Sequence, residues 1–334
     1  MSTLEWDVPS PPEGRRGAAR SAAPRRRVFK PGDRLFRWFT VACGAAVATA
    51  MFALAGVLIA GSWEAVSTLR LEPLTTVAWN PSGGEYGALT SLYGTFVTTL
   101  IAMAIAVPLA LAIALLLVDL AHPKVSRVVG TAIEMLAAVP SIIFGMWGIF
   151  VIVPLMQTYV QPWIQQSPLG ALPIFGGAPI GLGMLTAGII LALMILPYVT
   201  AVSRDVLKMV PTVVKEAGYG MGSTTFEVLR HVSLRYALSG IVGAVFLGLG
   251  RALGETMAVT FLIGGNVNTI PQSLFDPGTT IAATLANTFN EATDPLHVSA
   301  LMELGLILFL ITMVFQLIAQ MWLKRARRMS GTRA

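Results

Sequence analysis

Arg251 and Glu255 stand four residues apart in "VFLGLGRALGETMAVTFLIGG" (245–265), an otherwise apolar stretch of the length a bilayer crossing needs. A charged side chain at the centre of a bilayer costs about 2.5–3.5 kcal/mol on insertion scales. Each such group therefore needs a partner or a wet surface. On one helix a spacing of four puts both on the same face, where they can pair and fix helix packing. The same face could instead line a path for an anion, because the planar guanidinium fork matches phosphate oxygens two at a time. The residue types leave both readings open.

A second stretch, "SRDVLKMVPTVVKEAGYGMGSTTFEVLRHVSLR" (203–235), is too apolar for a simple connector. Pro211 suits the first turn of a helix that runs to Tyr219. Gly220 and Gly222 supply a stop and a sharp turn. Thr224 and Glu227 have capping-box spacing and should start a second helix. Val213, Val214, Ala217 and Met221 are then docking side chains for a partner's groove, or the apolar face of a helix lying on lipid. Glu134 and Glu303 also lie in or near apolar segments, and both read as structural. The segment 265–298 carries Asp276, Glu291 and Asp294 but no Lys or Arg, and "TTIAATLANTFNEA" within it has a helix-like apolar pattern.

Other chemistry is missing. None of Lys30, Lys124, Lys208, Lys215 and Lys324 precedes Ser or Thr, so the chain holds no phosphate-cradling G-x-x-x-x-G-K-[ST] loop. His122, His231 and His297 lie in different loops, Cys43 stands alone, and no H-E-x-x-H or G-x-S-x-G occurs. Catalytic residues, a bound metal and a cofactor are therefore not expected, and the chain does not read as an enzyme.

The elements that must hold these residues are membrane spans. Of 334 residues 55% are hydrophobic and 12% charged, about half the charge of a soluble domain. A hydrocarbon core about 30 Å thick needs about 20 apolar residues as a helix. Six windows qualify: 38–61, 95–118, 129–153, 180–202, 237–263 and 299–323. Pro154, Pro162, Pro168, Pro173 and Pro179 separate the third from the fourth, while Pro108, Pro140 and Pro197 should kink spans. The flanks 1–37, 119–127, 203–235 and 324–334 hold 21 Lys and Arg, and the alternate loops hold one. By the positive-inside rule both termini are cytoplasmic. The net charge of +6 is thus a topology signal rather than a nucleic-acid footprint. "RRRVFK" (25–30) faintly resembles a twin-arginine export signal, but the apolar run after it is too long for a signal core. The domain reading is a basic disordered cytoplasmic tail (1–37), a transmembrane domain (38–323) with the cytoplasmic loop 203–235, and a basic cytoplasmic tail (324–334).

Glu216-Ala217-Gly218, Gly222 and Val232-x-Leu234 resemble the E-A-A-x-x-x-G…I-x-L-P loop of the permeases of ABC importers. Gly218 stands where that pattern has Ala, and Arg235 where it has Pro. "YGALTSLYGTFVTTLIAMAIAVPLALAIAL", "AAVPSIIFGMWGIF", "ILPYVTAVSRDV", "GLGRALGETMAVTFLIG" and "LHVSALMELGLILF" together are similar to the C-type subunits of phosphate-specific transport permeases, over about residues 33–323. The resemblance implies an all-α, polytopic membrane protein with six transmembrane helices in the type I ABC importer permease fold, embedded in lipid of the plasma (inner) membrane. It implies an A-type permease beside it, a dimeric ABC ATPase below and an extracytoplasmic phosphate-binding protein outside. Glu216, Ala217, Gly218 and Gly222 would couple to the ATPase. Arg251 and Glu255 would line the substrate pathway, Glu255 orienting Arg251. A dianion entering at about −100 mV climbs about 4.6 kcal/mol, so import needs coupled energy. An ion-coupled secondary anion carrier is the alternative, although the paired broken helices of such carriers are not evident. A membrane subunit that senses phosphate without forming a pore is a third class.

Overall fold

The computed structural model describes residues 31–70 and 72–329. Most of the expected tail, including residues 25–30, lies outside them. The chain divides into two units, Met1–Phe52 and Ala53–Ala334. The described part of the first unit is the opening stretch of helix α1 (Pro31–Leu69). Residues 31–37, expected as tail, are thus helical, with Pro31 at the first position, where a missing N–H goes unnoticed. Leu35, Trp38, Phe39 and Phe52 there are exposed, as side chains facing lipid would be.

The second unit holds the end of α1 and then, as its principal helices, α2 (Leu89–Leu120), α3 (Pro123–Ala137), α4 (Ser141–Gln166), α5 (Met184–Lys208), α6 (Thr212–Gly220), α7 (Thr225–Leu253), α8 (Met257–Leu262), α9 (Ile281–Thr288) and α10 (Pro295–Met329). Among the described residues six helices, α1, α2, α4, α5, α7 and α10, are long and apolar enough to cross a membrane. A hairpin of β1 (Trp79–Asn80) and β2 (Glu85–Tyr86) precedes α2.

Helix α5 is the centre. It buries 61% of its apolar window, against 28% or less in the other five. Its main neighbour is α2, whose Ala102, Ala106, Ala110 and Ala114 are fully buried. Alanines every fourth residue form a flat ridge that lets two backbones approach closely. Gly188 of α5 completes the fit, since a Cβ there would fall 2.6 Å from the Ile101 side chain.

Two spans differ from expectation. The third begins at Ser141, not near 129, because Pro140 adopts an extended conformation (ψ 137) and ends the preceding helix instead of kinking it. Residues 123–137 become the separate helix α3. Pro154 and Pro162, expected as breaks, lie inside α4 just after π-type turns at Gly148–Ile152 and Met156–Val160. A wide turn disturbs the regular amide-to-carbonyl ladder, so a residue with no N–H is tolerated there. The fifth span, expected to run 237–263, starts at Thr225 and stops at Leu253. After a non-helical Gly254–Thr256 the chain resumes as α8, which packs against Gly145 and Gly148 of α4.

The apolar pattern in 279–292 does form a helix, α9, and its first turn is buried. A buried helix start leaves N–H groups without helical partners. Thr280 Oγ1 accepts from Ala283 N at 3.2 Å, and Thr95 Oγ1 of α2 accepts from Ile281 N at 3.0 Å. Hydroxyl contacts Ser91–Thr284 and Thr279–Thr284, each 2.9 Å, extend the network.

Candidate functional site

Arg251 and Glu255 do not pair. Helix α7 ends between them, so they no longer share one helix face. Among the described residues the ion pairs within 4.0 Å join Arg204 to Glu134 and Asp205, Lys208 to Asp205, and Lys215 to Asp119. Arg251 is exposed on the last turn of α7, where the carbonyl end of the helix favours a cation. Its Cζ lies 6.0 Å from the ring centroid of Tyr198 on α5, a cation–π distance. Glu255 is half-buried in the break, and its Oε1 accepts from Ala258 N of α8 at 3.4 Å. The break therefore answers how two charges sit in an apolar stretch. Each attends one end of an interrupted helix, and the guanidinium is left open to bind.

One cavity adjoins the break and a second begins one helical turn before Arg251. A cavity of about 440 Å³ is lined by Gly254 and Thr256 with Ala282 of α9 and Met302 and Gly305 of α10. A larger one, about 770 Å³, runs from Leu247, one turn before Arg251, toward the basic loop. Arg251 makes no ion pair among the described residues and is exposed beside the break of the span, and a guanidinium so placed is suited to hold an anion transiently.

The loop 203–235 is more ordered than a connector. Its first six residues finish α5, Pro211 caps α6, and Gly222 takes the left-handed backbone (φ +84) that reverses the chain. The expected capping box is present: Thr224 N donates to Glu227 Oε2 at 2.8 Å, and Glu227 N to Thr224 Oγ1 at 3.4 Å. The helix it starts is not separate but the beginning of α7, whose Val228–Ser233 segment is a π-type turn. Gly218 is buried against Val228, and a Cβ there would come within 3.2 Å of Val228 Cγ2, so glycine at this position tightens the turn. Glu216 and Ala217 are exposed, as are Val213, Tyr219 and Met221. The outward face of α6 is thus apolar with one carboxylate.

Two ion pairs tie this region to the spans, and neither was foreseen. Lys215 of α6 turns inward to Asp119 at the end of α2, with side chains only 17% and 10% exposed. Arg204 of α5 pairs with Glu134 of α3, and its guanidinium lies across Gly130, where any Cβ would strike it. Glu134 thus anchors a helix that precedes the third span. Glu303 is buried on α10, and among the described residues its Oε2 has no hydrogen-bond partner. At the opposite end from α6, Trp79, Tyr86 and His297 form an aromatic cluster, in which burial and then Asp294 raise the Tyr86 phenol above its usual pKa.

Comparison with known proteins bears on the family and the fold. Residues 106–328 match the family model described as "Binding-protein-dependent transport system inner membrane component". The phosphate transport system permease protein PstC of Pasteurella multocida is 48% identical over 91% of this chain and 93% of its own length. Its namesake from Mesorhizobium japonicum is 47% identical over 94% and 96%, and the Mycobacterium tuberculosis protein called PstC 1 is 35% identical over 79% and 86%. A solved structure of the inward-facing MetNI methionine ABC transporter shares the fold, with a TM-score of 0.53 at 18% identity over 75% of this chain and 99% of that one. The six spans, the broken fifth helix and these matches lead to one assignment: the chain is a multi-pass membrane protein that belongs to the binding-protein-dependent transport system inner membrane component family.

Proposed function

We propose that the chain is half of the membrane pathway of an ATP-driven importer of inorganic phosphate, with both termini in the cytoplasm. The observation that carries this reading is Arg251, a guanidinium on a broken span that makes no ion pair among the described residues, in a chain 48% identical to a phosphate transport permease. The partners are a second permease, an ABC ATPase dimer and an extracytoplasmic phosphate-binding protein. The exposed face of α6, with Glu216, Ala217 and Met221, seats in the ATPase, while Gly218 and Gly222 shape the turn behind it. Arg251 and Glu255 belong to the substrate path, Glu255 by holding the start of α8 rather than by orienting Arg251. Tyr198 takes that orienting role.

The two cavities suit an alternating-access cycle. ATP binding in the partner moves α6, and the movement opens one cavity to the break as it closes the other. The anion is held by Arg251 in the interval. An ion-coupled carrier needs no exposed docking helix of this kind. Proteoliposomes containing the four-component complex test the reading: ³²P-phosphate uptake should require ATP and should survive excess sulfate. Uptake driven by an ion gradient without ATP, or abolished by sulfate, would overturn it.

A further inference from the structure

We infer that the larger cavity is the release vestibule for the transported anion, and that Arg235 with His231 forms a second anion station at its cytoplasmic mouth. The inference rests on the importer reading above and adds a site to it. The cavity, about 770 Å³, is walled by Val202 and Val206 of α5 and by Gly243 and Leu247 of α7, and His231 and Arg235 lie at its far end. Residues four apart on a helix share a face. Leu247 therefore lies one turn below Arg251 and Val202 one turn below Tyr198, so the lining of the vestibule starts one helical turn from the Tyr198–Arg251 contact. It ends at the docking helix, since Val214 of α6 also lines it.

The charge pattern along this route favours an anion. No lining residue is acidic. Arg235 is exposed and, among the described residues, makes no ion pair within 4.0 Å. Sixteen residues of helix separate the two arginines, about 24 Å at 1.5 Å per residue. Between them the walls are mostly apolar and uncharged, with the hydroxyl-bearing Tyr236 and Ser239 near the Arg235 end. At about 30 Å³ per water the vestibule holds roughly 25 waters, enough for a dianion to pass with its hydration shell and with nothing to trap it midway. A cation at the mouth draws the ion off Arg251 and also receives cytoplasmic phosphate from the other direction. Arginine in place of proline at position 235 makes this possible, for it both continues α7 through Thr225–Leu253 and supplies the charge.

The test is inhibition of uptake by phosphate already on the cytoplasmic side, measured in the reconstituted four-component complex. Arg235→Gln should raise the half-inhibiting internal concentration at least threefold and lower the maximal uptake rate, with the external KM unchanged. Arg235→Lys should recover most of the effect, because the station needs charge more than a fork. His231→Gln should shift internal inhibition in the same direction by a smaller factor, and it provides the reading if Arg235→Gln does not assemble. Unchanged internal inhibition in these variants overturns the inference while leaving the importer reading intact. So does an effect that disappears in vesicles of purely zwitterionic lipid, since Arg235 would then be a headgroup anchor. A wild-type complex without ATP-driven uptake would overturn the importer reading itself, and this inference with it.

Discussion

Replacing Lys215 by Ala should uncouple ATP hydrolysis from transport without unfolding the chain. Removing one partner of a buried ion pair costs about 3–5 kcal/mol, whereas an exposed pair contributes about 0–1 kcal/mol. Side chains 17% and 10% exposed place Lys215–Asp119 nearer the buried limit, and about 2–3 kcal/mol is a fair figure. Much of that is the penalty for Asp119, whose Oδ2 already lacks a hydrogen-bond partner. The loss falls locally. Helix α6 has nine residues, and this ion pair and the packing of Gly218 on Val228 hold it to the spans. At 1.36 kcal/mol per tenfold, the equilibrium constant for seating α6 should fall roughly 30- to 150-fold. The assay is phosphate transported per ATP hydrolysed in the reconstituted complex, with ATPase assembly followed by co-purification. Lys215→Ala should reduce that ratio at least tenfold while the ATPase still co-purifies, and Asp119→Asn should act alike although Asp119 lies on α2 and not on the docking helix. The exchanged pair Lys215→Asp with Asp119→Lys should recover part of the loss. Effects of the two single variants that add independently, within about 0.5 kcal/mol, would refute the reasoning.

Three further outcomes follow from named contacts. Thr95→Val removes the hydroxyl that accepts from Ile281 N at 3.0 Å; an orphaned buried N–H costs about 1–3 kcal/mol, so the melting temperature of the purified chain should fall while its helical circular dichroism persists. Gly130→Ala would displace the Arg204 guanidinium from Glu134; destabilisation should exceed that of Glu134→Gln in the same thermal assay, and equal values would refute the steric account. Thr224→Ala removes the capping box at the start of α7, worth about 1 kcal/mol, and hydrogen exchange should accelerate at 225–228 but not across Ala244–Leu253.

What the sequence made legible is what depends on local pattern. Apolar length located six spans, and Thr224 with Glu227 announced a cap that the structure contains. What it hid depends on which hydrogen bonds are skipped and which distant residues meet. Hydropathy is blind to the interruption at Gly254–Thr256, because Leu253 and Met257 are apolar on both sides of it. The same blindness shifted the third span. Pro140 and Pro154 look alike in the sequence, yet only Pro154 follows a π-type turn that accommodates it. Asp119 and Lys215 are 96 residues apart, and Glu134 and Arg204 are 70 apart; nothing in either neighbourhood names the partner. Tyr198 was missed for the same reason, since its value lies in an arginine on another helix. The Arg251–Glu255 pairing went the other way: helical spacing favoured it, and the break removed the helix on which it depended.

The central claim is that Arg251 meets the transported anion, and phosphate uptake by Arg251→Gln tests it most directly. The chain would be co-expressed with its ATPase, sister permease and binding protein in cells lacking their own high-affinity system, with wild type and variant at matched membrane levels. Wild type should import radiolabelled phosphate and Arg251→Gln should not, while the ATPase still assembles and hydrolyses ATP. Equal import by both would contradict the account and leave Arg251 as a packing residue at the end of a helix.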